Sequence, residues 1–186
     1  MTGHSVLDHL LPEWDTRDAH ERRVRADAGR AYAALRALDF NDLRVVRWLF
    51  ALRPLFIHGH AGPPLPRGPF VDTAARLGWA LVHDGPPEVI AVAVTQPWNA
   101  EVTFRGLPAE EFRTFREPGY VRIAWTFGAR PVDGGTSVLC TETRAAATDP
   151  ESRRRFLQYW RIFGVGIHLI RRLAFAHVAR GLRRAG

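Results

Sequence analysis

The chain has 186 residues, 46% of them hydrophobic and 24% charged, the balance of a globular domain with one core rather than of a disordered segment. Its 26 basic residues are all arginine, which excludes Schiff-base catalysis, a pyridoxal-phosphate lysine and a P-loop lysine. Cys140 is the only cysteine, so an intrachain disulfide and a cysteine metal cluster are excluded too.

Residues 1–14 carry acids and no cationic leader before an apolar stretch, so they do not read as a secretory signal. The longest apolar stretches, 89–94 and 162–170, fall short of the ~20 residues of a membrane span, and the expected location is the cytoplasm. Residues 18–26 alternate about Val24 and predict a first strand. Asp27 then suits a helix N-cap, because its carboxylate accepts from the free amides of a first turn, and 28–38 follow as a helix rich in Ala and Leu. A second helix is expected from Asn41 or Asp42, ending by Arg53 because Pro54 follows. Residues 57–70 are rich in glycine and proline and predict a long loop, with a helical turn or two over 71–78.

Residues 79–83 and 88–95 flank Asp84-Gly85-Pro86-Pro87, a turn suited to a hairpin. A short strand is expected at 102–105, then an irregular stretch to Gly119. Residues 120–130 alternate, placing Val121, Ile123, Trp125 and Phe127 on one face. Residues 131–135 predict a turn and 136–147 a strand pairing back, either face of which suits a core. Asp149-Pro150-Glu151 opens the last helix with a cap, a first-turn proline and an acid near the positive dipole end. It is expected to reach about Leu182, with an apolar stripe of Phe156, Trp160, Phe163, Ile167, Ile170, Ala174 and Val178. Arg154, Arg161, Arg172 and Arg183 fall opposite the stripe, and Gly164 and Gly166 mark a place for a bend. Residues 150–186 hold nine arginines against one acid, Glu151, whereas the body before them is near neutral.

Strand, two helices, several antiparallel strands and one long helix make an α+β protein. The long helix is the only element able to cover the concave face of a curved antiparallel sheet, and an apolar cavity is expected between them.

Several strings carry a resemblance over most of the chain: 21–26 ahead of Asp27, Glu117-Pro118-Gly119-Tyr120, Ala124-Trp125, Gly134-Gly135-Thr136, Thr141-Glu142-Thr143-Arg144, and the run from Asp149 through Tyr159-Trp160-Arg161 to Ile170-Arg171-Arg172. With the element order, they make the chain similar to a bacterial branch of the SRPBCC superfamily. That superfamily includes START lipid-binding domains, birch-pollen-allergen-like proteins and polyketide cyclase-like proteins. The resemblance implies one helix-grip domain over 1–186, with loop 57–70 as a rim, that binds a hydrophobic or amphipathic, lipid- or polyketide-like molecule between sheet and helix. The implied apolar lining is Trp79, Val121, Ile123, Trp125 and Phe127 from the sheet side, with Phe156, Tyr159, Trp160, Phe163 and Ile167 from the helix. Thr141, Thr143, Tyr159 or His168 would supply polar anchors. Fold alone does not give the reaction, and an oxygenase iron motif is not visible.

The other chemistry is weighed against plainer roles. His58-Gly59-His60 is the most metal-like string, but no third ligand sits at a known spacing, so neither a metal nor a cofactor is expected. Glu142 shares a strand face with Val138 and Cys140. Facing the cavity it would be a candidate acid-base group of a cyclase or dehydratase; facing out, it would pair with an arginine such as Arg144 or Arg122. Glu101 is a weaker candidate of the same kind. Cys140 in mid-strand reads as a small hydrophobe. The basic last helix suits a solvated face, or transient contact with an anionic membrane through Arg154, Arg161, Arg172 and Arg183, and no nucleic-acid reading motif accompanies it. A third possibility is dimerisation through that helix.

Overall fold

The computed structural model describes residues 6–43, 67–99 and 101–184. In chain order the elements are α1 (Val6–Leu10), β1 (Thr16–Val24), α2 (Ala28–Arg36), a 3₁₀ turn (Phe40–Asp42), α3 (Phe70–Arg76), β2 (Ala80–Gly85), β3 (Glu88–Thr95), β4 (Phe104–Arg105), α4 (Ala109–Thr114), β5 (Val121–Asp133), β6 (Thr136–Ala147) and α5 (Pro150–Arg184). The strands form an antiparallel six-stranded sheet in the order β1-β6-β5-β3-β2, with β4 on β3. This is an α+β helix-grip arrangement, with the first strand brought back beside the last and α5 laid across the sheet.

The β5–β6 hairpin is the centre of the frame. Its turn falls at Gly134 and Gly135, and Gly135 has φ of 83°, a conformation other residues adopt at a steric cost. β5 runs on through Pro131 to Asp133, where the sequence predicts a turn. Pro131 is tolerated because β5 has lost β3 as a neighbour beyond Gly128 and its register with β6 shifts between Pro131 and Asp133.

Alternation sorts the two faces. Val121, Ile123, Trp125, Phe127 and Ala129 share a face with Ala147, Ala145, Thr143, Thr141 and Leu139, directly opposite them in that order on β6. On β1, Asp18, His20 and Arg22 stand opposite Thr143, Thr141 and Leu139, so they belong to that face too. α2 and the C-terminal half of α5 pack there: Trp125, Phe127 and Leu139 share a core with Ala31, Leu35, Phe175, Val178 and Leu182. The uninterrupted apolar run of β3 has a different cause, because both of its faces are buried.

The far face is covered by two short helices that the sequence did not announce. α1 occupies the segment before the first strand, and α4 lies in the stretch expected to be irregular. Leu7, Leu10, Leu11, Phe112 and Phe115 meet Ile90, Val92, Val94 and Ala124 in a second core. Arg144 fastens α1 there, its guanidinium bonded to Glu142 Oε1 at 2.7 Å, Asp8 Oδ1 at 2.7 Å and the Leu11 carbonyl at 3.2 Å.

Local predictions elsewhere are met closely. Asp27 caps α2 by accepting from the Arg30 amide at 2.8 Å. The second helix begins only as the 3₁₀ turn Phe40–Asp42, and its expected continuation from 44 lies outside the described residues. Loop residues 57–66, with His58 and His60, lie outside them as well, while Phe70 already begins α3. α5 passes unbroken through Gly164 and Gly166. By length and composition this helix is apolar enough to cross a bilayer, although the contiguous apolar stretches are short. In the fold, however, Phe156, Ala174, Phe175, Val178 and Leu182 bury one side of it against the sheet.

Candidate functional site

The space between α5 and the sheet is filled unevenly along the helix. At the C-terminal half of α5, aromatic rings close it. Phe70 lies 5.3 Å from Trp125 and 5.8 Å from Phe127, Phe40 stacks on Phe70 at 4.2 Å, and Phe127 meets Phe175 at 5.9 Å between centroids. At the N-terminal end Phe156 is buried with Val121 and Ala145. Between these two plugs Ile123 and Thr143 on the sheet, and Tyr159, Trp160, Phe163 and Ile167 on the helix, are only half-buried.

The expected lining therefore divides. Val121, Trp125, Phe127, Thr141 and Phe156 are buried core residues, and the Thr141 hydroxyl donates to the Thr126 carbonyl at 2.7 Å. Trp79 sits at the margin, 5.9 Å from Trp125 and 4.9 Å from Phe104. Ile123, Thr143, Tyr159, Trp160, Phe163 and Ile167 outline a seam about two helical turns long. Tyr159 and Phe163 stack at 4.7 Å. Gly164 makes room for the Trp160 indole, since a Cβ there would stand 3.0 Å from the ring.

A polar cluster that sequence reasoning missed lies at the deep end of the seam. Arg171, one turn beyond Ile167, reaches back to β1 and β6. Its Nη1 donates to the Asp18 carbonyl at 2.8 Å and lies 2.9 Å from Asp18 Oδ2, while Nη2 donates to Thr143 Oγ1. Burial works against the guanidinium's charge, with the Asp18 carboxylate opposing that effect. The other Asp18 oxygen, Oδ1, is 3.2 Å from His168 Nδ1. His20 completes the group, 6.2 Å from the His168 ring and 5.4 Å from Phe175. Its Nε2 is buried without a hydrogen-bond partner among the described residues, and burial, followed by the nearby His168 and Arg172, lowers its pKa.

Two of the expected polar anchors, Thr143 and His168, are thus brought together, and Asp18, His20 and Arg171 join them. The alternation of β1 carried a signal for Asp18 and His20: with Val24 facing inward, the period of two puts both beneath the helix. Arg171 carried none, because the last turns of the helix are crowded with arginines.

Glu142 does not join this cluster. Its strand face is the far one, where Arg17 Nε and Arg144 Nε each donate to Oε1 at 2.7 Å. Burial would raise its pKa, but the two guanidiniums outweigh that and hold it below the usual carboxylate value. Of the two roles weighed for Glu142, the outward ion pair is the one present, with Arg144 as expected and with Arg17 in place of Arg122. Cys140 shares the far face, and burial raises its thiol pKa, the opposite of nucleophile activation. Glu101 is exposed beyond the sheet.

No protein-family model matches the sequence, and no curated protein matches it. Solved structures give likenesses at low identity. A conserved protein from Geobacillus kaustophilus is 10% identical, with 91% of this chain and 97% of that chain covered at a TM-score of 0.43. Norcoclaurine synthase from Thalictrum flavum, in complex with dopamine and hydroxybenzaldehyde, is 13% identical over 100% and 95% of the two chains at a TM-score of 0.33. The Zhui aromatase/cyclase from Streptomyces sp. R1128 is 12% identical over 92% and 98% at 0.28. The helix-grip description rests on the strand order and the position of α5 in this structure.

Proposed function

We propose that the protein is a single-domain binder of a hydrophobic or amphipathic small molecule, lipid- or polyketide-like, held in the seam between the sheet and α5. One observation carries the reading. The half-buried apolar seam ends on a cation whose side chain is only 13% exposed, Arg171, and whose partners Asp18 and Thr143 come from two different strands. A polar anchor at the end of an apolar slot is the general design of a site that orients an amphipathic ligand. With Nη1 on Asp18 and one N–H of Nη2 on Thr143, the remaining N–H donors of Arg171 suit an anionic or carbonyl oxygen, and Nε2 of His20 is a second polar group in the same place.

The experiment is a titration with a fluorescent long-chain fatty acid, compared with its uncharged methyl ester. Saturable binding of the acid is expected, with Ile123→Trp abolishing it by filling the seam. Arg171→Gln should weaken the acid by about tenfold or more, as loss of a charge-assisted hydrogen bond does, and leave the ester little changed. Binding that ignores Ile123→Trp would put the ligand elsewhere.

A second reading rests on the Asp18–His168 contact. A carboxylate 3.2 Å from one ring nitrogen orients an imidazole as a general base, and His168 would serve an acid-base reaction on a carbonyl substrate in the role first sought for Glu142. Under this reading His168→Asn keeps ligand binding and loses turnover.

A further inference from the structure

The seam uses one side of α5; the opposite side has its own pattern. Ile162, Val165 and Leu169 are 54%, 76% and 42% exposed. Their spacing of three and four residues sets them in one stripe. Arg161 and Arg172 lie on the same exposed face, one at each end of the stripe, and Arg180 and Arg183 continue it towards the C-terminus. Arg154 is also on that side but is paired with Glu151, as is Arg155. Arg161, Arg172 and Arg180 have no carboxylate partner among the described residues, unlike Arg153 and Arg171, which are held by Asp15 and Asp18. The face thus has an apolar centre between unneutralised cations.

We infer that this outward face of α5 docks on an anionic lipid bilayer, the helix lying in the interface with Ile162, Val165 and Leu169 entering the acyl boundary and the arginines at the headgroup phosphates. An apolar stripe between basic residues is the pattern of interfacial helices, and a polybasic surface is attracted to anionic headgroups. Charge complementarity selects this occupant. A nucleic acid would be served by the arginines but not by an exposed valine at the middle of the face. A second copy would set the same cations against each other. The orientation keeps the seam on the protein side of the helix, so docking does not depend on what the seam binds.

The test is co-sedimentation of the full chain with vesicles of phosphatidylcholine alone, or of phosphatidylcholine with 30% phosphatidylglycerol, at roughly 0.1 and 0.5 M salt. Binding to the anionic vesicles is expected, with little to the neutral ones and a marked loss at high salt. Each basic side chain at such a surface is worth about fivefold in partitioning. The double variant Arg161→Glu, Arg172→Glu should therefore lose tenfold or more. Val165→Asp should lose binding with a nearly unchanged melting temperature, because the side chain is 76% exposed. The double variant Arg23→Glu, Arg25→Glu removes equal charge on exposed residues outside α5 and should bind nearly as the parent does. Equal binding to neutral and anionic vesicles, or equal loss in the two double variants, would overturn the inference. So would a dimer in sedimentation equilibrium that Val165→Asp dissociates, or binding to nucleic acid that Val165→Asp leaves intact.

Discussion

Glu142 shows how one side chain changes meaning with the face it occupies. The strand face it shares with Cys140 looks away from α5, and its partner Arg144 is 6% exposed against 14% for the carboxylate. Glu142→Gln takes away the carboxylate that both Arg17 and Arg144 bond, while Asp8 and the Leu11 carbonyl stay on Arg144, so the cost is that of weakened charge-assisted hydrogen bonds, about 2 kcal/mol. Glu142→Gln should lower the unfolding free energy by about that amount in urea titration and loosen α1, with no effect on ligand affinity. A stable variant that no longer processes or binds a seam ligand would instead restore the carboxylate to the site.

His20 gives a pH dependence. Burial, His168 and Arg172 depress its pKa from the ordinary 6.5, against a smaller opposing effect of Asp18. The folded protein therefore binds fewer protons than the unfolded chain below about pH 6.5. The stability contributed by neutral His20 is complete above that pH and is lost as pH falls towards the depressed folded value. Relative to His20→Phe, the parent should therefore lose unfolding free energy as the pH falls below about 6.5, and the difference between the two proteins should be constant above it. An identical pH slope in both proteins would show that His20 titrates as it does in the open chain.

Among the elements, those with long-range periodicity were legible. β3 and β6 span 88–95 and 136–147 as predicted, and α5 extends two residues beyond its expected end. The caps Asp27 and Asp149 were readable because a short acidic side chain before a helix has one effective use. Asp149 accepts from the Ser152 amide at 2.9 Å and the Gly119 amide at 2.6 Å. What escaped was short. α1 and α4 have five and six residues, too few for a 3.6-residue period to show, and each is stable only through packing on the far face of the sheet. Missing them meant missing the second core, and with it the means of deciding between the two faces offered to Glu142. The polar cluster escaped for a different reason. Asp18, Thr143 and Arg171 are separated by more than a hundred residues or by a strand-to-helix crossing, and only the β1–β6 pairing makes them neighbours.

For the whole molecule, the sheet is sealed on one face by α1 and α4 and on the other by α2 and the two ends of α5. That leaves the middle of α5, residues 159–171, as the stretch where inward-facing side chains are only half-buried and where Arg171 meets Asp18. The same helix carries outward the arginines that have no carboxylate partner among the described residues, Arg161, Arg172 and Arg180. A residue-level reading from the sequence could place the aromatic residues on the right faces but could not divide them into core and seam, because that division depends on how far along the sheet α2 and Phe70 reach.

The most direct test of seam binding is native mass spectrometry of the protein as purified, followed by organic extraction and repeated on Ile123→Trp. The account predicts a reproducible bound mass on the parent, or one acquired on exposure to lipid and polyketide-like extracts, and a clean apo mass on the variant. A parent that stays apo throughout, or a variant that carries the same adduct, would contradict it.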